Sequence, residues 1–188
     1  MKHLATVALM LNLGIAGVYA EQKPVTMTFQ GTAGASAINL QHSGTNNSED
    51  NSAGNGTLGP FTFRNVRAIA VSPQSSSTCS GPNQFYFPSN VGAGVFRFQD
   101  GSLLKVNLTQ GGDCIDLAAQ EAHCALTFQI TGGTGRFKNA SGVLSFAETV
   151  APVLADATNN PVFFAATGEF TGTVSGVTRE AEHQEEPQ

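Results

Sequence analysis

One glutamate on an apolar strand face is the residue best suited to acid–base chemistry. Leu144, Phe146, Glu148 and Val150 are spaced two apart, so in a strand their side chains share one face. A carboxyl group that follows apolar neighbours into a core is desolvated, and its pKa rises towards the range useful to a general acid or base. Two interpretations stay open: Glu148 is a candidate catalytic residue, or it lies at a solvated rim close to Pro152.

Three cysteines provide the other reactive groups. Two of the three are expected to form a disulfide in an oxidising compartment. We predict the pair Cys114–Cys124, because it closes a short loop between two strand-like runs. Cys79, in a serine-rich segment, is the alternative partner of either residue. A metal site is not expected, since His123 beside Cys124 would point the other way on a strand and no Cys-x-x-Cys element is present.

Other catalytic and cofactor motifs are weak. The run Gly132-Gly133-Thr134-Gly135 lacks the Lys-Ser/Thr and the following helix of a phosphate-binding loop. No serine lies in a Gly-x-Ser-x-Gly elbow, which argues against a Ser-His-Asp hydrolase of that kind. We therefore expect no cofactor and no metal.

Pairs of phenylalanines recur with strand spacing. Phe-x-Phe occurs three times, and residues i and i+2 of a strand share a face, so each pair places two rings on one side of a sheet. The rings either fill a solid core or line an aromatic pocket that is open at one end. The candidate ligand-binding residues are Phe61, Phe63, Phe85, Phe87, Phe96 and Phe98.

The elements that must position these residues are strands. A period of two recurs from residue 24 onward, and turn signals separate the runs. The strand candidates are residues 25–30, 61–70, 84–87, 91–99, 102–109, 124–131, 142–150 and 162–175. Asp100-Gly101 predicts a hairpin with a type I′ turn, and residues 113–121 a short helical turn. The polar stretch 41–56 has no apolar anchor and predicts a mobile surface loop. About eight strands without a long helix indicate a closed barrel or a sandwich.

Composition limits the class of protein. Only 12% of the 188 residues are charged, the formal net charge is −5 and the pI is about 5.2, which disfavours a helical bundle and a general nucleic-acid binder. No apolar run approaches the roughly 20 residues of a mature membrane span. Residues 1–20 have the pattern of a secretory signal peptide cleaved after Ala20, so the protein is expected to be secreted or periplasmic. Residues 21–178 would form one β domain, and residues 179–188 an acidic disordered tail.

Two segments resemble a known family. The segment ITGGTGRFKNASGVLSF (130–146) is similar to the Gly-Gly-Thr-Gly-x-Phe-x-x-Ala-x-Gly signature of plant dirigent proteins and allene oxide cyclases, and FRFQDGSLL (96–104) resembles the hairpin that precedes it there. The resemblance implies a single antiparallel eight-stranded β-barrel of calycin-like shape with an apolar cavity, often assembled as a homo-oligomer. It also implies turn-forming roles for the glycines and a barrel-plugging role for Phe137. The segments that carry the family's acidic site residues do not align with this chain.

These observations lead to two functional hypotheses. In the first, an exported barrel binds a small apolar molecule in its aromatic-lined lumen and acts as a cyclase, isomerase or dirigent-like protein, with Glu148 as its polar group. In the second, the barrel is solid and the protein is a non-enzymatic extracellular structural or interaction module.

Overall fold

The computed structural model describes residues 21–40 and 42–178. The predicted signal peptide and acidic tail lie outside these residues. The described chain forms eight strands: β1 (Lys23–Ala35), β2 (Thr45–Gly56), β3 (Phe61–Ala70), β4 (Gln84–Phe98), β5 (Leu103–Asp116), β6 (Glu121–Gly133), β7 (Ser141–Ala155) and β8 (Pro161–Ser175). Each pairs antiparallel with the next, and β8 pairs with β1, so the strands close an all-β barrel. The predicted fold class is confirmed.

The alternating strands give the barrel two different ends. We call the end that carries residues 36–44, 71–83, 117–120 and 156–160 the loop end, and the end that carries residues 57–60, 99–102 and 134–140 the turn end. Each strand runs from one end to the other because consecutive strands are antiparallel. The end at which a residue lies therefore follows from its position in its strand.

The prediction of a mobile loop at 41–56 was wrong for most of that segment. Residues 45–56 form β2, which pairs with β1 on one side and with β3 on the other. A central strand satisfies its backbone groups through its neighbours on both sides, so it does not need an apolar pattern of its own. In β2 the inward positions include Asp50 and Ser52, both buried, where an apolar residue was the usual expectation.

Turns lie where the sequence predicted them, at 99–102 and between β5 and β6, but their types differ from the predicted ones. Residues 99–102 join β4 to β5, but only Gly101 has a positive φ, of 81°; Asp100 is not among the positive-φ residues, so the turn is not type I′. The Asp100 carboxylate instead accepts a hydrogen bond of 2.8 Å from the Ser102 N–H. The predicted helical turn at 113–121 is only a four-residue turn, because β5 and β6 extend to its two ends. At this turn, residues 117–120, the Asp116 carboxylate accepts hydrogen bonds from the Ala118 and Ala119 N–H groups.

The glycine-rich segment closes the turn end. A 3-10 helix, η1 (Gly135–Phe137), follows β6, and the side chain of Phe137 is fully buried with its ring centroid 4.7 Å from that of Phe98. Gly135 has φ of 56°, and a Cβ there would lie 2.3 Å from the Ser102 hydroxyl, so only glycine fits. Phe137 thus has the plugging role that the resemblance implied.

The disulfide joins Cys114 to Cys79 and not to Cys124. Its Cα atoms are 5.6 Å apart, within the usual range. Cys124 faces the lumen and keeps a free, buried thiol. On β5, Asp113 points inward, so its neighbour Cys114 points to the opposite face of the wall. The pair Cys114–Cys124 fails because the two side chains lie on opposite sides of the wall, whatever the length of the loop between them.

Candidate functional site

Aromatic rings fill the half of the lumen next to the turn end. Phe63 and Phe96 lie 4.3 Å apart between ring centroids, and Phe29 stacks on Phe146 at 5.3 Å. The ring of Phe170 lies 4.8–5.1 Å from those of Phe29, Phe96, and other members of the group. Each ring meets others at contact distance. This half of the lumen is therefore a packed core.

Four of the six predicted phenylalanines belong to this core. Phe61, Phe63, Phe96 and Phe98 are buried in it. Phe85 is 40% exposed and Phe87 is half-buried. Near the loop end the pairing of β4 is irregular: its register with β3 shifts, and its pairing with β5 is interrupted between Pro88 and Ala93. This irregularity changes which positions of β4 face inward: Phe87 pairs with inward-facing Asp113, so Phe87 and Phe85 lie on the lumen side but at the loop end, beyond the packed core.

A layer of buried polar side chains lies between the aromatic half and the loop end. We call it the polar layer; its members are Asp50, Ser52, Asn65, Arg67, Ser89, Asp113, Cys124 and Glu148. They come from the six strands β2 to β7. On β2, β3, β6 and β7 they follow the lumen-facing spacing of two, as in Phe63–Asn65–Arg67 and Phe146–Glu148. On β4 and β5 a register irregularity lies between Ser89 or Asp113 and the inward residues nearer the turn end.

Arg67 is the cationic centre of the polar layer. Its Nη1 donates to Asp113 Oδ1 at 2.6 Å and to Ser89 Oγ at 3.2 Å, and its Nε lies 3.5 Å from Asp50 Oδ2. The Cys124 thiol donates to the same Asp113 oxygen at 2.7 Å. Burial disfavours the guanidinium charge, but the surrounding acidic groups outweigh it and raise the pKa of Arg67 well above its usual value. The guanidinium therefore remains charged inside the barrel.

Glu148 lies inside the lumen and is not at a solvated rim. It is 4% exposed, and neither carboxyl oxygen has a hydrogen-bond partner among the described residues. Burial, and then the nearby charge of Asp50, raise the pKa of Glu148 to about 8. At neutral pH this carboxyl is mostly protonated, so it can donate a proton or a hydrogen bond.

Asp50 is a second buried carboxyl of the polar layer, and its Oδ2 lies 3.5 Å from Arg67 Nε. Burial raises its pKa, and the charge of Asp113 adds to that effect, while Arg67 opposes it. Neither of its oxygens accepts a hydrogen bond among the described residues. Three carboxyl groups thus face one guanidinium in a water-poor environment, and this imbalance favours retention of at least one proton.

Small residues cover the polar layer towards the loop end. Ala33, Val150 and Ala166 form a second buried cluster, against which Ala122 and Phe164 pack. Val150 follows Glu148 by two residues, and Ala122 precedes Cys124 by two, so both lie one step closer to the loop end. Phe137 closes the other end. The loop end is consequently the shorter route between solvent and the polar layer.

Two open grooves lie on the outside of the barrel. One, of about 630 Å³, is lined by outward residues that include Asn51, Arg64 and Arg97, and the other, of about 570 Å³, lies at the turn end beside Arg136. Among the described residues, no group of three His, Cys, Asp or Glu side chains is arranged to hold a metal ion. The described residues also include no helix long and apolar enough to cross a membrane. The polar layer is therefore the strongest candidate site.

Most of the polar layer was missed in the sequence. Glu148 was found because it follows two apolar residues at a spacing of two. The same signal was present in Phe61, Phe63, Asn65 and Arg67, where two polar residues continue an aromatic strand face. Asp50 carried no such signal, since no apolar residue alternates with it in its own strand.

This chain is similar, at low identity, to solved structures of other proteins. No protein-family model matches the chain, and no curated protein is significantly similar to it. A heme-binding cyclase that catalyses a [4 + 2] cycloaddition matches 81% of this chain at 12% identity with a TM-score of 0.37; the chain spans 64% of that protein's length. A pterocarpan synthase dirigent protein matches 86% of this chain and 90% of its own at 12% identity with a TM-score of 0.39. Both solved structures are ones to which this chain is similar at low identity and low TM-score, and no residue role follows from either.

Proposed function

We propose that this protein is an exported barrel that binds a small, mostly apolar molecule at the polar layer. The observation that carries the proposal is a set of buried polar atoms that have no hydrogen-bond partner among the described residues: both carboxyl oxygens of Glu148 and the side-chain amide of Asn65. Leaving such groups unpaired in a low-dielectric interior costs free energy. A ligand that bonds to them would recover that cost.

The chemistry of the layer defines the ligand. The protonated Glu148 donates to an oxygen, and the Asn65 amide offers both a donor and an acceptor. The aromatic half below, which includes Phe29 and Phe146, presents an apolar surface. The matching ligand is an uncharged carbon skeleton that carries a carbonyl or hydroxyl oxygen. It would enter from the loop end, past Ala33, Val150 and Ala166, whose small side chains leave the most room between the wall strands.

Glu148 is the candidate catalytic residue of this site. A carboxyl whose pKa lies near 8 can give a proton to a ligand oxygen and take it back near neutral pH. The surrounding lumen holds the ligand in one conformation and excludes water, which are the contributions that a cyclisation or isomerisation requires from the protein. Arg67, which donates a hydrogen bond to Asp113, is the nearby positive charge that opposes the rise in the pKa of Glu148.

Ligand stabilisation of the fold tests this proposal. Wild-type protein is screened by thermal unfolding against neutral apolar compounds with and without a carbonyl or hydroxyl oxygen. We expect Tm to rise for a subset of the oxygenated compounds, since a ligand that binds the native state alone stabilises it. Glu148→Leu should abolish the rise, and the outer-wall control Val143→Ala should retain it. A rise that survives in Glu148→Leu would place the ligand elsewhere.

The packed aromatic half favours a second candidate function. If the barrel is solid throughout, the protein is a structural or interaction module, and its outer surface carries the function. This alternative predicts that no compound of the screen raises the Tm of the wild type. The disulfide Cys79–Cys114 supports export under either function, because such bonds form in oxidising compartments.

A further inference from the structure

Exposed large apolar side chains are concentrated at the loop end. We call this group the apolar rim; its members are Ile38, Val71, Phe85, Leu117, Val153, Leu154, Val162 and Phe163. They come from three of the four loop-end connections and from the loop-end parts of β4, β7 and β8. The remaining exposed large apolar residues of the described chain, Val91, Val95 and Val143, lie on the outer wall. Single exposed apolar residues are normally scattered over a protein surface, so eight of them at one end of the barrel point to an interaction surface at that end.

The hairpin of β7 and β8 contributes most of the rim. Beyond Val150 and Ala166, these two strands continue past the core, and residues 151–155 are exposed on both faces. Leu154 is 60% exposed and pairs in register with Phe163. Leu117, 62% exposed, stands on the separate connection between β5 and β6. The rim is therefore a set of separate projections around the mouth of the barrel.

Exposed positive charges lie at the opposite end of the barrel from the apolar rim. The connections at the loop end contain no lysine or arginine. The exposed cations of the described chain, such as Arg97, Lys105 and Lys138, lie in the half next to the turn end. Acidic groups flank the rim, including Asp116 and Asp156. A surface of this kind is not attracted to anionic lipid or nucleic acid, and two copies placed rim to rim would bring acidic groups together.

We propose that the apolar rim docks on an uncharged lipid surface. Separate apolar side chains can each enter the boundary between headgroups and acyl chains of a lipid layer. A protein partner would need a surface whose shape is complementary to all of them. The absence of loop-end cations selects a zwitterionic over an anionic surface. Docking would place the mouth of the barrel against the lipid layer, in which mostly apolar molecules such as the proposed ligand dissolve. The surface itself does not depend on the proposed ligand site.

A single tryptophan can report the docking, because the chain contains none. Leu154→Trp places the reporter on the rim, and Val143→Trp is the control on the outer wall, where Val143 is 41% exposed. With phosphatidylcholine vesicles, the emission of Leu154→Trp should shift to shorter wavelength, and brominated lipid should quench it. The emission of Val143→Trp should not change.

Vesicle binding of rim variants supplies a second measurement. Each large apolar side chain that enters the lipid is worth roughly a factor of ten in affinity. The triple variant Leu117→Ser, Leu154→Ser, Phe163→Ser should bind phosphatidylcholine vesicles at least about tenfold more weakly than the wild type in flotation. The wall variant Val95→Ser, Val143→Ser should bind as the wild type does.

Several results would overturn docking on uncharged lipid. These are no spectral shift in Leu154→Trp, equal shifts in both tryptophan variants, and binding that requires phosphatidylglycerol. A rim-dependent dimer in the absence of vesicles would assign the surface to a second copy. None of these measurements uses the lumen, so loss of vesicle binding and loss of ligand binding are separate outcomes.

Discussion

Ionisation of Glu148 should make the protein less stable as pH rises. The folded state holds this carboxyl at a pKa of about 8, against an ordinary value of 4.5. Between these values the folded state binds more protons than the unfolded state, so the free energy of unfolding falls with pH. The stabilising effect is complete below about pH 4.5 and is lost as pH passes through about 8.

The size of this effect follows from the shift. One pKa unit corresponds to about 1.4 kcal/mol, so ionisation of Glu148 in the folded state costs on the order of 3–5 kcal/mol. Glu148→Gln keeps the shape and removes the titration. At pH 5 its free energy of unfolding should lie within about 1 kcal/mol of the wild type, because both side chains are neutral. At pH 9 it should exceed the wild type by on the order of 3 kcal/mol.

Urea unfolding at a series of pH values from 5 to 9 is the assay. Glu169→Gln is the matched control: Glu169 lies on β8 beside β7 but is exposed on the outer face. It should leave the slope of stability against pH unchanged. Equal slopes in the wild type and Glu148→Gln would refute the assignment of a buried, proton-retaining carboxyl at this position.

Three further changes test the rest of the structure. Cys79→Ser removes the disulfide to Cys114, which closes 35 residues, and should lower the free energy of unfolding by roughly 3–4 kcal/mol in chemical denaturation; an unchanged value would contradict the pairing. Arg67→Met should destabilise by about 3–5 kcal/mol at neutral pH, because it leaves buried carboxylates without their cation, and a neutral effect there would show that the layer does not depend on this charge. Phe63→Ala should cost about 3–5 kcal/mol in urea unfolding, whereas exposed Phe85→Ala should cost about 0.5 kcal/mol or less; similar losses would mean that the two rings are equally buried.

The sequence predicted most of the strands well because their signal is local, whereas the choice of a barrel over a sandwich came from the family resemblance. Alternation along β3 and β8 marks which residues face inward, and these strands were placed within a residue of their observed bounds. β2 was missed because hydrogen bonds from β1 and β3 hold it in the sheet. Its own residues, among them Asp50, show no apolar period.

The candidate site was predicted only in part, because a site depends on neighbours in space. The inward position of Glu148 could be read from β7 alone. Its proximity to Asp50, Arg67 and Asp113 depends on the register of several strands, which the sequence does not specify. The incorrect disulfide has the same origin: the side of the wall on which Cys114 lies follows from the register of β5.

The central claim is that the polar layer holds a small molecule, and native mass spectrometry of the protein purified from the organism that makes it tests this claim. We predict a bound neutral compound of defined mass that contains oxygen, present in the wild type and in Val143→Leu, and absent from Glu148→Leu. Wild-type protein without a bound compound, or a compound retained equally by Glu148→Leu, would contradict the claim.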